Sequence, residues 1–184
     1  MRKIILDLAV TLDGFIEGPD GEIDWIDASQ DPGDTFENTF GELLSRIDTI
    51  FYGRTSYDLW GNFIPGKEAP AMIQELYSVI HTKKKYVFSN TKTDDGKATF
   101  VKMDSVQEIL QQPGKDIWLY GGGQLIKSFM DQGLVDVYRL AVFPVILGAG
   151  KPLFKDIQQR VGLKLNEVKS SKAGVVMLNY DRVK

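Results

Sequence analysis

FYGRTSYD at residues 51–58 and WLYGGGQLI at residues 118–126 share one design. In each, an apolar strand-like run stops at glycine and leads into a helical pattern. The start of a helix leaves backbone amides unpaired and carries the positive end of the macrodipole, and glycine lets a phosphate approach the main chain. Arg54 adds a planar cation suited to phosphate, and Thr55 and Ser56 add hydroxyl donors. Gly121, Gly122 and Gly123 in succession are expensive in conformational entropy. Either motif alone reads equally well as a tight strand-to-helix turn. On neighbouring parallel strands the two would share the sheet edge where open α/β folds bind ligands, and together they favour a dinucleotide. The glycine spacing is neither the G-x-G-x-x-G fingerprint nor a P-loop.

Outward from these motifs, the first two thirds of the chain alternate strand and helix patterns. Residues 4–10 form an apolar run broken only by Asp7, as in a strand covered on both faces. A turn-rich stretch from Asp13 to Gly33 still carries Phe15, Ile16, Trp25 and Ile26, which predicts a long loop folded over something. Asp34 and Glu37 have the spacing of a capping box ahead of Phe36, Phe40, Leu43, Leu44 and Ile47 at helical spacing. Strand patterns follow at residues 49–52, 85–89, 99–101 and 117–120. Helix patterns fall at 69–80, after Asp104 as a cap, and after Gly123, with Gly133 as the stop. Residues 135–143, 163–169 and 175–180 then read as three strands without long helices between them. The prediction is a largely parallel sheet with antiparallel strands added at one edge.

The 184 residues contain no Cys and one His, which excludes disulfides, thiol catalysis and Cys-ligated metals and points to no metal site. His81 reads as a helix C-terminal residue favoured by the dipole rather than a catalyst. A net charge of -3 argues against nucleic acid, and no apolar run reaches membrane-spanning length. The expectation is a cytoplasmic protein with one domain over residues 1–184. Its chemistry must come from hydroxyls, carboxylates, amines or a borrowed cofactor.

LAVTLDGFIEGPDG at residues 8–21, FYGRTSYD, VFSNT at 87–91, LYGGGQLI and PVILGAGKPLF at 144–154 together resemble the dihydrofolate-reductase-like superfamily. The resemblance is nearest to the reductase (C-terminal) domain of the riboflavin biosynthesis enzyme RibD and its small stand-alone bacterial relatives. It runs in order over nearly the whole chain. It implies a three-layer α/β/α fold with a mixed, mostly parallel sheet and antiparallel C-terminal strands. It also implies NADPH binding, hydride transfer to a heterocyclic small molecule, and a homodimer formed through the late strands.

Carried over position by position, the resemblance places Gly53, Arg54 and Thr55 at the phosphates of NADPH, and Ser89 and Asn90 on the adenosine side. Gly121, Gly122, Gly123, Gln124, Leu125 and Ile126 would wrap the pyrophosphate, with Ala9 and Ser56 near the nicotinamide. Asp13 in the LDG motif and Glu37, 16 residues before Gly53, are the two candidate acids, with Glu17 behind them. Asp13 reads also as an Asp-Gly turn and Glu37 as the capping-box partner. Phe15, Trp25, Phe36, Phe40 and Tyr57 would suit a flat ring, though some of them would serve the core. Tyr120 stands where RibD reductases carry an acid, and the Pro-Trp loop of dihydrofolate reductases is absent. The expected function is reduction of a pterin, folate or aminopyrimidine. The alternatives are reduction of 5-amino-6-(5-phosphoribosylamino)uracil, reduction of dihydrofolate, or NADPH binding without turnover.

Overall fold

A period of two sorts the first strand between two apolar layers. β1 (Ile4–Thr11) sends Ile4, Leu6 and Val10 to one and Ile5 to the other. The computed structural model describes residues 1–26, 36–91 and 95–183, apart from the side chains of residues 36–39 and 72. After β1 come β2 (Phe15–Glu17), α1 (Phe36–Arg46) and β3 (Ile47–Gly53). A single turn, α2 (Arg54–Ser56), widens into a π turn over Tyr57–Gly61 and is followed by α3 (Ala71–His81) and β4 (Lys84–Phe88). Then come β5 (Thr99–Val101), α4 (Val106–Gln111), β6 (Asp116–Gly121) and α5 (Gly123–Asp131). The chain finishes with β7 (Val137–Phe143), β8 (Lys151–Pro152), β9 (Leu163–Ser170) and β10 (Val176–Arg182).

Eight strands form one sheet in the order β5-β4-β3-β6-β1-β7-β10-β9, and β2 pairs with β8 in a separate antiparallel ribbon. All contacts from β5 to β7 are parallel, while β7–β10 and β10–β9 are antiparallel. This is the mixed, mostly parallel sheet expected from the change of rhythm late in the chain. Leu43 and Leu44 of α1 and Tyr77 and Ile80 of α3 cover one face, against Ile5, Ile50, Tyr52, Trp118 and Val137. Ile109 and Leu110 of α4 and Ile126, Phe129 and Met130 of α5 cover the other, against Ile4, Leu6, Phe51 and Leu119. The chain moves outward from β1 to β5 under one helical layer and returns through β6 to β7 under the other. Right-handed crossovers require that change of side. Among the described residues no helix is long and apolar enough to cross a membrane.

Several local expectations shift. Ile47 opens β3 rather than closing α1, which ends at Arg46. Asp104 lies inside a 3-10 turn, Met103–Ser105, that precedes α4, and no side-chain hydrogen bond caps either element. The segment after Gly53 is a three-residue helical turn rather than a full helix. The cap at Asp34 and the side chains of Phe36 and Glu37 lie outside the described residues. His81 does end its helix, and it is also a fastener. Its Nε2 lies 2.9 Å from the Phe63 carbonyl oxygen and its Nδ1 lies 3.0 Å from Lys85 Nζ. Lys85 in turn donates to the Gly61 carbonyl, holding the π turn on the end of α3.

Phe51 is fully buried in the middle of the sheet and packs on Tyr86, Phe88 and Phe129 at centroid distances of 5.9, 5.0 and 5.7 Å. Three aromatic neighbours cannot close into the gap left by its removal. Phe51→Ala should therefore lower unfolding stability by about 3–5 kcal/mol in denaturant titration. A loss below ~1 kcal/mol would contradict this packing.

Candidate functional site

Parallel strands β3 and β6 end side by side, each on glycine. A Cβ on Gly53 would stand 3.3 Å from the Gly121 carbonyl oxygen and 3.4 Å from the Gly122 nitrogen. Both contacts are to main chain, so there is little room for it to give. Gly121 has φ +119, a conformation glycine alone adopts readily, and its peptide bond to Gly122 is cis. A Cβ on Gly122 would meet Ser56 Oγ at 3.2 Å. The two glycine motifs thus meet at one sheet edge, with α2 and α5 starting from it and no acidic residue in the first turn of either.

Beside this edge, on the α1/α3 face, lies a cleft of about 250 Å³. Its floor is the sheet, where Asp7, Ala9, Trp118, Tyr120, Ala141 and Met177 are exposed to it. Phe40, Leu76, Tyr77 and Ile80 supply the helical wall, and Ser56, Trp60, Gly121 and Gly122 the end nearest the glycines. Ile16, Glu17, Ile23 and Ile26 close the opposite side. The described part of the turn-rich stretch, residues 13–26, is therefore folded over a cavity, which accounts for Ile16 and Ile26. Loop 147–153 fixes it in place. The Leu153 amide donates to the Gly14 carbonyl, and Lys151 pairs with Glu17 at 2.6 Å.

The expected cofactor positions divide into those at the edge and those beside it. Ala9, Ser56, Gly121, Gly122 and Ile126 line the cleft. Gly53 abuts Gly121 and Gly122, and Gly123 and Gln124 are exposed in the first turn of α5. Leu125 is buried in the core. Arg54 pairs with Asp58 at 2.6 Å and lies 5.6 Å over the Phe100 ring, and Thr55 is exposed beside it. Ser89 bonds the Thr91 carbonyl at 2.9 Å at the end of β4, and Asn90 is exposed next to it.

Of the expected ring-contacting residues, Phe40 lines the cleft. Trp25 packs edge-on against Phe143 at 5.5 Å, and Phe15 sits in β2 paired with β8. Tyr57 is buried below α2, where its hydroxyl donates to Asp95 at 2.6 Å. That bond, with two backbone amides, holds the Asp95 carboxyl down to about 2. Asp13 accepts hydrogen bonds from the Thr11 hydroxyl and from the Leu147 and Gly148 amides, and these keep its carboxyl below the usual range. It ties the end of β1 to loop 147–153 and does not line the cleft.

Asp7 does line it. The residue is 7% exposed, and Arg139, its register partner on β7, brings Nε to 3.1 Å from Oδ2. The approach is close enough for charge attraction but is not aligned as a hydrogen bond, and Oδ2 makes none. Burial outweighs the pull of Arg139 and pushes the carboxyl from 3.8 up to about 6. The sequence signal for Asp7 was its interruption of an apolar strand. Trp60, Leu76, Tyr77 and Trp118 carried no comparable signal, because each fits a core pattern equally well, whereas Tyr120 was marked by the acid that RibD reductases carry at that position.

The description RibD C-terminal domain fits residues 2–177 of the chain. The chain is 50% identical over 183 residues to the uncharacterized protein YyaP of Bacillus subtilis, covering 97% of this chain and 94% of YyaP. It is 31% identical to YwjB of the same organism, covering 98% of each. Among solved structures, a putative riboflavin biosynthesis protein from Shewanella superposes with a TM-score of 0.80 at 24% identity, over 100% of both chains. A Thermotoga maritima diaminohydroxyphosphoribosylaminopyrimidine deaminase/5-amino-6-(5-phosphoribosylamino)uracil reductase superposes with a TM-score of 0.68 at 18% identity. That match covers 99% of this chain and 57% of the Thermotoga chain. At these identities the two structures show a shared fold.

Asp7 holds its proton up to about pH 6 when folded but only to about 3.8 as an ordinary carboxyl. Between those values the folded state binds the extra proton, so this group's contribution to stability falls as pH rises and is lowest above pH 6. The difference corresponds to roughly 3 kcal/mol. Denaturant titrations from about pH 4 to about pH 7 should show wild type losing on the order of 3 kcal/mol relative to Asp7→Asn. Parallel stability curves for the two proteins would contradict the burial of this carboxyl.

Proposed function

Because this chain belongs to the RibD C-terminal domain family, we propose that it is an NADPH-dependent reductase of a flat, nitrogen-containing ring of the pterin, folate or aminopyrimidine type. The observation that carries the reading is the meeting of Gly53 with Gly121 and Gly122 at the mouth of an aromatic-lined cleft. A phosphate chain needs backbone amides it can reach, and a ring needs an apolar slot beside them. The two requirements are met at adjoining places on one sheet edge.

The residues present fit the cofactor. Side chains are missing where they would fill the space between β3, β6 and Ser56, and α2 and α5 start there with unpaired amides. Gly53, Thr55, Ser56, Gly121, Gly122, Gly123 and Gln124 would hold the pyrophosphate, and Arg54 the 2′-phosphate, with Ser89 and Asn90 towards the adenosine. When bound, the dihydronicotinamide supplies a hydride. Ala9 and Ala141 keep the floor of the cleft low enough for stacked rings, and Trp60, Tyr77 and Tyr120 exclude water around them.

The described lining of the cleft contains no Lys or Arg. That favours an uncharged ring over a phosphoribosyl substrate of the kind named for the Thermotoga protein. On the far edge of the sheet, exposed Leu163, Leu165 and Val168 of β9 support pairing with a second copy of the chain.

Arg54 is the residue that separates NADPH from NADH in this reading. Replacing it with Ala should raise the Kd for NADPH about 10–100-fold, since a hydrogen bond to a charged group contributes about 1.5–3 kcal/mol. The Kd for NADH should change less than about 2-fold, with both followed by fluorescence of the reduced nicotinamide. Equal losses for the two cofactors would remove Arg54 from the 2′-phosphate. Absence of NADPH binding by the wild-type protein would overturn the reading.

A further inference from the structure

A carboxyl group on the floor of an apolar cleft needs a reason to be there. Asp7 costs stability as a buried acid, and a hydrophobic residue would suit β1 better between Ile5 and Ala9. Its Oδ2 faces Arg139 without a hydrogen bond, and Arg139 is itself 4% exposed. Asn179, the register partner of Arg139 on β10, also has a buried Oδ1 without a hydrogen bond. A polar row thus crosses the sheet under the cleft from Asp7 through Arg139 to Asn179, although the cleft around it is otherwise mostly apolar and aromatic.

Asp7 and Ala9 point to the same face of β1 and stand about 7 Å apart along the strand. That is roughly the width of one aromatic ring system. A substrate ring overlapping a nicotinamide at Ala9 would bring its edge over Asp7.

Resting on the reductase reading above, we propose that Asp7 is the catalytic acid of this cleft and the anchor for a ring nitrogen of the substrate. A dihydronicotinamide is the reductant. Its hydride adds to the carbon of a C=N bond, and the π electron pair of that bond moves to nitrogen. The Asp7 O–H bond breaks, its proton goes to that pair, and a new N–H bond forms. The substrate gains two electrons, the nicotinamide is oxidised, and water returns a proton to Asp7 once product has left. Arg139 stabilises the carboxylate left behind and acts as a positioning residue. Neither Asp13, held by loop amides, nor Glu17, paired with Lys151, is needed for this step.

Few other ionisable groups among the described residues face Asp7. From β7 it faces the permanent cation of Arg139, and from β10 uncharged Asn179 stands behind that cation. From β6 and α3 the cleft receives Tyr120 and Tyr77, whose phenols burial raises, Tyr77 to about 12 and Tyr120 well above its ordinary value. Glu17 contributes the other carboxylate among the described lining residues, and Lys151 holds it at 2.6 Å. Filling the cleft with a ring removes more water from Asp7 and favours its protonated form further.

Two probes test this. Oxidised pterin without NADPH serves as a planar ring that cannot be turned over, and 7,8-dihydropterin as an acceptor with a C=N bond. In wild-type protein labelled with 13C at aspartate carboxyls, the Asp7 resonance should titrate near pH 6, and saturating pterin should move its midpoint upward. This measurement needs no variant and no turnover. With NADPH and 7,8-dihydropterin, Asp7→Asn should lower kcat by at least about 100-fold, remove the pH dependence that follows the Asp7 midpoint, and leave the NADPH Kd within about 2-fold. An Asp7 resonance indifferent to pterin overturns the assignment. So does an Asp7→Asn protein that binds NADPH and turns over like the wild type, and in that case the reductase reading survives. Failure of the wild-type protein to bind NADPH overturns the reductase reading instead, and the fluorescence titration of cofactor alone reveals it.

Discussion

Two parallel strands, β3 and β6, approach so closely at their carboxyl ends that a methyl group on Gly53 would press on the backbone of Gly121 and Gly122. Much of the site follows from that contact. Because the strand ends touch, α2 and α5 start side by side. Because Gly121 takes a positive φ, the chain can turn out of β6 there and enter α5 within two residues. The cleft lies immediately beside the junction, on the face where the strand order leaves room between α1, α3 and the loop after β1.

The polar groups of the site are distributed according to what each must face. Exposed Thr55 and Gln124 and the Arg54–Asp58 pair face solvent at the starts of α2 and α5. The floor of the cleft instead combines alanine, methionine and aromatic rings with Asp7. A buried acid beside a buried guanidinium is a poor device for stability, because desolvation offsets the attraction. That cost is consistent with the ligand role proposed for it. The loops show the opposite use of charge: Asp13, Glu17 and Asp95 are each fully engaged in fastening chain segments around the site.

The layers and the mixed sheet were legible because strand and helix periods differ and the rhythm changes after residue 135. The junction of FYGRTSYD with LYGGGQLI was legible only from the pair, since either motif alone reads equally well as a tight strand-to-helix turn. The ribbon of β2 with β8 was not, since Phe15–Glu17 and Lys151–Pro152 are too short to show a period. The lining of the cleft was legible only in part. Phe40 and Tyr57 were equal candidates for ring contact in the sequence, yet one faces the cleft and the other fills the space under α2. Aromatic residues serve core and site with the same chemistry, so only packing tells them apart. Asp7 was visible as an anomaly within an apolar strand, but its depth and its pairing with Arg139 depend on register between strands far apart in the chain (residues 7 and 139).

A crystal structure of the protein with NADPH bound tests the central claim most directly. The pyrophosphate should lie between the first turns of α2 and α5, against Gly53 and Gly122, with the nicotinamide over Ala9 and open cleft remaining above Asp7. A cofactor seated elsewhere, or one whose adenine rather than nicotinamide fills the cleft, would contradict the account.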